Sequence, residues 1–437
     1  MDVALEFSRC IENWPTAGGP HPRRPSLSVE APKILWRAPF AGQQSGSRTD
    51  GGPVLSADRL AFAASDWVHF VNKDGSKAQK AKYNGLGWYP SALVADLDGN
   101  VYFSAPDGLF SVDANGELRW SGHLTPPTNT ELAAGIPPVL GPDGVVYFAT
   151  FDKWVVAKRA SDGEFLWSKP PPSTKTTGTR VMGGGGNALF VAYEAAYPDA
   201  RTDALDIRDG TTLGSFVRPA YAASFTWYWG AWVEGWDYGI GYGDMYVFDT
   251  CGRLRLYGDP MGSGLLVPGE LLAMVTNTQS GTLLLLDTAG NTVGGPVPSE
   301  GQLIAVGGDG TIYTFRCQTG TAAINRILAY SYDLQELWRI DLGSAVGCPG
   351  ITGNVVLDDS GVMFLTRPGD PGTDSTEVIA IQTASPGLAD SSWPSLRHDN
   401  RGTAWLVPGT PSGSPPAGDS DGGSPANPID APQAESN

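Results

Sequence analysis

The sequence predicts an all-β fold: an eight-bladed β-propeller of four-stranded antiparallel blades, with seven blades as the alternative. Three observations carry this. The 437 residues include Gly 57 and Pro 35, and both residue types are poor in helix interiors and favoured in turns. Aromatic residues make up 10%, with Trp 14 among them, and aromatics favour strands. Above all, the chain repeats itself. "PSALVADLDGNVYFSAPDGLFSVDANGELRW" (90–120) and "PPVLGPDGVVYFATFDKWVVAKRASDGEFLW" (137–167) follow one plan. Each begins with Pro and an apolar strand, turns at Asp-Gly, and runs through an aromatic strand and a third strand. A further turn at Gly116 or Gly163 leads to a strand ending in Trp. Asp-Gly suits tight hairpins because glycine takes positive φ freely.

Taken in order, "PKILWRAPF" (32–40) resembles the Trp-bearing outer strand of a unit that has no beginning. Units then run through 52–79, 90–120, 137–167 and 187–216, and 243–258 reads as the second half of a fifth. Three more occupy 269–293, 301–342 and 353–383. Starts near 53, 90, 138, 182, 228, 268, 302 and 349 give periods in the range of propeller blades. A lone four-stranded sheet exposes both faces, whereas sheets packed around an axis bury them. The last unit lacks a readable fourth strand, and 34–40 is expected to supply it, so that the N-terminus closes the ring. The organisation expected is an N-terminal extension (1–31), the propeller (32–405) and a Pro/Gly/Ser-rich acidic tail (406–437) too poor in apolar residues to order itself.

The formal charge is −17, which repels phosphate backbones and argues against nucleic-acid binding. No run has the length of a membrane-spanning helix, and a monomer is expected. Asp2, Glu6 and Arg9 stand where a signal peptide needs an apolar stretch, so the chain is expected to be cytoplasmic or to have lost a leader. Cys10, Cys251, Cys317 and Cys348 lack C-x-x-C spacing, which speaks against zinc. A disulfide among the last three and buried free thiols both remain open.

The phrases Pro-Val-Leu-x-x-Asp-Gly-x-x-Tyr-Phe (138–148), Asp-x-x-Gly-Glu-x-x-Trp (113–120) and the terminal Trp-Pro-x-x-x-x-Asp (393–399) resemble pyrroloquinoline-quinone-like (PQQ-like) repeat propellers of bacteria. The resemblance covers roughly 33–405 and is strongest in the second and third units. It assigns Trp36, Trp120, Trp167 and Trp338 to docking between blades; the equivalent position is Gln79, Gly214 or Gly294 in three other units. Quinoprotein dehydrogenases of this fold hold a calcium ion by carboxylates and an amide, and sandwich the quinone between a disulfide of adjacent cysteines and a flat Trp. This chain has no adjacent cysteines and no C-x-x-C-H haem motif, so no cofactor is expected, PQQ included. The resemblance favours the non-enzymatic branch, related to the propeller lipoprotein of outer-membrane barrel assembly, in the periplasm or at the cell surface.

Several stretches invite chemistry. Asp96, Asp98 and Asn100 alternate as in calcium loops, yet the loop glycine is misplaced for one, and a hairpin turn accounts for all three. Trp227, Trp229, Trp232, Trp236 and Tyr238 crowd one segment. Exposed, they would bind a glycan or a protein partner; buried, they would pack blades together. Glu234, Asp237 and Asp244 lack any fixed separation for glycoside chemistry. "MGGGGN" (182–187) lacks the Lys-Ser/Thr of a phosphate loop and instead lets backbones crowd near the axis. His398 and Asp399 are adjacent, so in an extended chain their side chains point to opposite faces and make no dyad. The segment holding Trp393, Pro394, Arg397 and Asp399 is read instead as a clasp for the ring. The function expected is non-catalytic: a binding or scaffold propeller of the cell envelope that engages a protein through its loops. Carbohydrate binding is the alternative, and a quinoprotein dehydrogenase stands behind both.

Overall fold

The computed structural model describes residues 6–7, 23–41, 52–64, 67–82, 91–105, 108–122, 137–150, 152–195, 201–217, 224–228, 231–235, 245–248, 254–258, 264–268, 271–275, 281–287, 291–318, 324–343, 355–368, 375–391, 394–395 and 399–406. These form seven four-stranded antiparallel sheets and one of six strands. Numbered along the chain, sheets one to three begin at Val54–Ser56, Val94–Ala95 and Val139–Leu140. Sheet four begins at Gly178–Gly185, sheet five at Ser224–Tyr228, and sheet six at Gly264–Val267. Sheets seven and eight begin at Gln302–Val306 and Val356–Leu357. Within each, four strands neighbour one another in sheet order, the first on the inner side; sheet four adds Glu6–Phe7 at its outer edge and Trp405–Leu406 at its inner one. The inner strands of consecutive sheets touch from one through seven.

Sheet eight is the exception in connectivity. Its fourth strand is Lys33–Ala41, paired antiparallel with Ser375–Gln382. Its packing partner is sheet one: Phe40, Val356, Phe364 and Val378 share a buried cluster with Leu60, Phe62 and Val71. Other clusters lie between sheets one and two, two and three, and seven and eight.

The outer strands share a device that the sequence does not reveal. In all eight sheets the register slips by one residue, skipping Leu35, Ala78, Arg119, Leu166, Leu213, Arg255, Val293 and Leu337. Such a bulge bends the strand and re-aims the residue beside it. The residues that follow are Trp36, Gln79, Trp120, Trp167, Gly214, Leu256, Gly294 and Trp338, the docking position in every sheet.

Where that residue is Trp, its indole reaches the next sheet. Trp120 Nε1 donates to Ala160 O (2.9 Å), Trp167 Nε1 to Ile207 O (2.8 Å) and Trp36 Nε1 to Lys73 O (3.0 Å). Each ring lies over a glycine of that turn. A Cβ on Gly163, Gly210 or Gly75 would stand 2.7–2.8 Å from the indole, and all three glycines have positive φ. The fourth Trp of the set, Trp338, packs tilted on Tyr313 of its own sheet. Its neighbour, sheet eight, has no turn between third and fourth strands, because two distant parts of the chain supply them.

Candidate functional site

In a propeller the axis is where inner strands present unpaired edges, so polar groups converge there. One level of this axis is occupied by the chain itself. The described residues among 385–406 run past the inner strands and bond at the last or the last but one residue of the first strand in sheet after sheet. At sheet seven, Val306 N donates to Pro394 O (2.7 Å) and Ala389 N to Val306 O (2.9 Å). At sheet six, Ser391 Oγ donates to Leu266 O (2.6 Å). At sheet eight, the Asn400 amide pairs like a strand, accepting from Leu357 N and donating to Leu357 O, both at 2.9 Å. Then Leu55 N, Ala95 N, Leu140 N and Gly184 N of sheets one to four donate in turn to the carbonyls of Asn400, Arg401, Thr403 and Ala404. Trp405–Leu406 finally joins sheet four in parallel with Gly184–Gly185.

Asp399 shapes the sharp turn in this belt. Its carboxylate accepts from Arg401 N, Thr403 N and Thr403 Oγ1 at 3.0 Å and from Arg401 Nη2 at 3.2 Å. Asp399 and Asn400 are buried. Trp405 is 1% exposed; it stacks on Tyr147 and lies so close to Gly184 that a Cβ there would be 2.1 Å from its ring. The glycine run at 182–187 thus admits an indole. The N-terminal arm reaches the same end. Arg24 donates to Leu388 O and lies near Asp359 (3.6 Å) and Asp390 (3.8 Å), while Leu27 N donates to Ala384 O (2.7 Å).

Of the clasp residues, Pro394 and Asp399 are placed in the belt, and Trp393, Arg397 and His398 lie outside the described residues. Asn400, Thr403 and Trp405 carry contacts that sequence reasoning did not assign; the signal was a glycine run with a distant Trp to fill it. In the turn at 96–100, Asp96 accepts from Asn100 N, Asn100 Nδ2 and Tyr102 Oη at 2.7–2.8 Å, and Asp98 is exposed. This is hydrogen bonding of a hairpin, and no group of three metal-ligating residues occurs among the described residues. In the aromatic segment, Trp227 and Trp232 are directly paired across strands Ser224–Tyr228 and Ala231–Gly235. Trp229, Trp236 and Tyr238 lie outside the described residues, as do Cys10, Cys251, Cys348 and the Cys317 side chain.

Three further buried titratable groups belong to the sheets. His69 stacks on Phe62 and edges Phe40 in the seam between sheets eight and one. Burial, with Lys80 and Lys77 nearby, lowers its pKa to about 4. Asp203 is raised by burial, against the pull of Arg201 at 2.9 Å and Ser215 at 2.8 Å. Lys158 is lowered by burial.

Sheets stacked through indole docking around a shared inner edge define the molecule as a β-propeller protein. Residues 27–228 match the family model described as outer membrane protein assembly factor BamB. No curated protein matches the chain at a significant level. Among solved structures it is similar to BamB from Moraxella catarrhalis, with 14% identity, TM-score 0.51, and coverage of 79% of this chain and 100% of that one. It is also similar to a europium-containing methanol dehydrogenase (11%, TM-score 0.58, 83% and 95%). A third is Sqt1 from Saccharomyces cerevisiae (12%, TM-score 0.54, 82% and 100%). At these identities the likeness is one of fold, and a fold of this kind hosts unrelated functions. No helix among the described residues is long and apolar enough to cross a membrane.

Proposed function

We propose that the protein is a non-catalytic scaffold of the bacterial cell envelope that binds a protein partner through its loops. In this reading residues 32–405 form one ring of eight blades, closed by Lys33–Ala41, with 1–31 as an arm and 406–437 as a solubilising tail. The observation that carries it is the belt. An enzyme or cofactor site needs convergent polar groups that a small molecule can reach. At this mouth the inner-strand N–H groups of sheets one to four, seven and eight, together with Asp399 and Asn400, are engaged by the chain's own residues. The donor set likewise does not fit a quinone with its calcium ion, because no adjacent cysteines exist and the Asp399 carboxylate is saturated by its own turn. The match of residues 27–228 to a barrel assembly factor supports a protein partner and an envelope location.

A crosslinked pull-down from envelope extract tests this. Outer-membrane barrel-assembly components are expected in the eluate, and an eluate at background would overturn the reading. So would dye reduction by the purified chain on adding quinone, calcium and a primary alcohol. The in-register pair Trp227 and Trp232 supports a second reading, glycan binding, for which a saturable shift of Trp fluorescence with envelope glycans is the sign.

A further inference from the structure

His69 is the one histidine among the described residues, and it is buried at a seam whose two sides come from distant parts of the chain. It lies on the strand Trp67–Asn72 of sheet one, opposite Phe62 on one side and Lys80 on the other. Its ring stacks on Phe62 at 5.2 Å and meets the edge of Phe40 at 5.4 Å, while Phe40 and Phe62 meet edge to face at 5.0 Å. Phe40 belongs to Lys33–Ala41, the strand that completes sheet eight. This three-ring contact therefore holds the completing strand against sheet one. Nε2 of His69 is buried and has no hydrogen-bond partner among the described residues. An imidazolium there would carry a buried charge with no acceptor at Nε2.

The surrounding charges oppose protonation as well. Lys80 and Lys77, from the outer strand of the same sheet, both act against a positive charge on His69, and no carboxylate among the described residues acts for it. Lys77 Nζ already lies over the Phe40 ring (4.9 Å) and Lys80 Nζ over Trp67 (4.0 Å). Arg59, on the Phe62 strand, turns away to Ala114 O of sheet two. In sheet eight, Glu377 is held between Arg367 and Arg37, and Arg37 also donates to Leu342 O of sheet seven, so these charges face the opposite side. The ion pair Lys73–Asp358 (3.1 Å) joins turns of sheets one and eight. We propose that this junction is an acid-sensitive latch: protonation of His69 loosens Lys33–Ala41, which Phe40 anchors to sheet one, and opens this seam ahead of the others. The sign follows from hydration. The folded pKa of about 4 lies below the ordinary 6.5, so acid favours whichever form exposes the ring, and the opening equilibrium shifts by about twentyfold between pH 7 and pH 5. The latch needs no partner and stands apart from the scaffold reading.

Hydrogen exchange of the full chain tests this, read by mass spectrometry at pH 7 and pH 5 and corrected for the intrinsic pH dependence of exchange. Peptides covering 33–41 and 375–382 should lose protection about twentyfold at pH 5. Those covering 139–149 and 188–194, in sheets three and four, should keep theirs over the same labelling times. The acid effect at the seam should vanish in His69→Phe. A second variant, Lys77→Gln with Lys80→Gln, changes only exposed side chains and should shrink the effect by removing the opposing charges, so the latch stays testable if the Phe variant folds poorly. Unchanged protection at the seam, or a loss spread evenly over all sheets, would overturn the proposal. So would an acid effect that survives in His69→Phe or keeps its full size in the lysine variant.

Discussion

At the scale of single residues, the fold rests on a contact made between sheets by unlike partners: an indole from one and a bare glycine from the next. Trp167 is 8% exposed, and its ring occupies the space where Gly210 would carry a Cβ. Trp167→Ala is therefore expected to cost about 3–5 kcal/mol in urea denaturation. Gly210→Ala should also destabilise, through both the clash and its φ of 72°. Where the indole is missing, the partner changes with it. The turn position of sheet seven is Leu334, held at φ 61° and buried, and its Cδ1 lies against Gly295 of sheet six. The leucine fills the volume a Trp would have taken. His69 supplies a pH dependence. Its folded pKa of about 4 lies below the ordinary 6.5, so the unfolded chain takes up a proton that the fold refuses. The contribution is complete above about pH 6.5 and is lost as pH falls towards 4. Stability at pH 5 should be lower than at pH 7 by about 2 kcal/mol from this group. The difference between the two pH values should shrink by that amount in His69→Phe; an unchanged difference would refute the assignment.

At the scale of elements, bulges and belt do separate work. The skipped residue in each outer strand turns the next side chain towards the neighbouring sheet, which is why a Trp at the edge can dock at all. Four of the skipped residues stay outward, Leu35, Leu166, Val293 and Leu337 being among the exposed large apolar residues, whereas Leu213 is buried. The belt joins seven sheets at one level, five through backbone bonds and sheets six and eight through the Ser391 and Asn400 side chains, each bond worth about 1 kcal/mol net. A chain ending at residue 384 loses these together with the buried Trp405. Its melting temperature is expected to fall by roughly 5–10 °C, measured by thermal unfolding, with partner capture less affected. Lost capture at unchanged melting temperature would make the belt a binding element instead.

For the whole molecule, the decisive strand is Lys33–Ala41. It completes the sheet built from residues 356–382, and through Trp36 and Phe40 it also holds sheet one. Removing it exposes two packed faces at once. A chain starting at residue 42 should lose its cooperative thermal transition and become open to proteolysis within 355–382. Retention of a single sharp transition at the same temperature would refute this role. The C-terminal belt crosses the same seam, since Asn400 bonds Leu357 of sheet eight by its side chain and Leu55 of sheet one by its carbonyl. Chain ends that begin and finish far apart in sequence are thus spent on one junction.

The sequence by itself determined the repeating sheets, because Asp-Gly turns and apolar alternation act over a few residues and need no distant partner. It also made Trp120 and Trp167 legible as docking residues, since each sits at a fixed distance from its own turn glycine. The fourth strand of the last sheet could be read from a leftover outer strand at 32–40. Only the tertiary structure decided the rest. The path of residues 385–406 depends on seven inner edges brought together by the fold, and no local pattern encodes that meeting. The pairing of Glu6–Phe7 with Thr212–Val217 joins distant parts of the chain, and no local pattern encodes it either. Local chemistry specifies the units, whereas what covers their free edges is settled where they assemble.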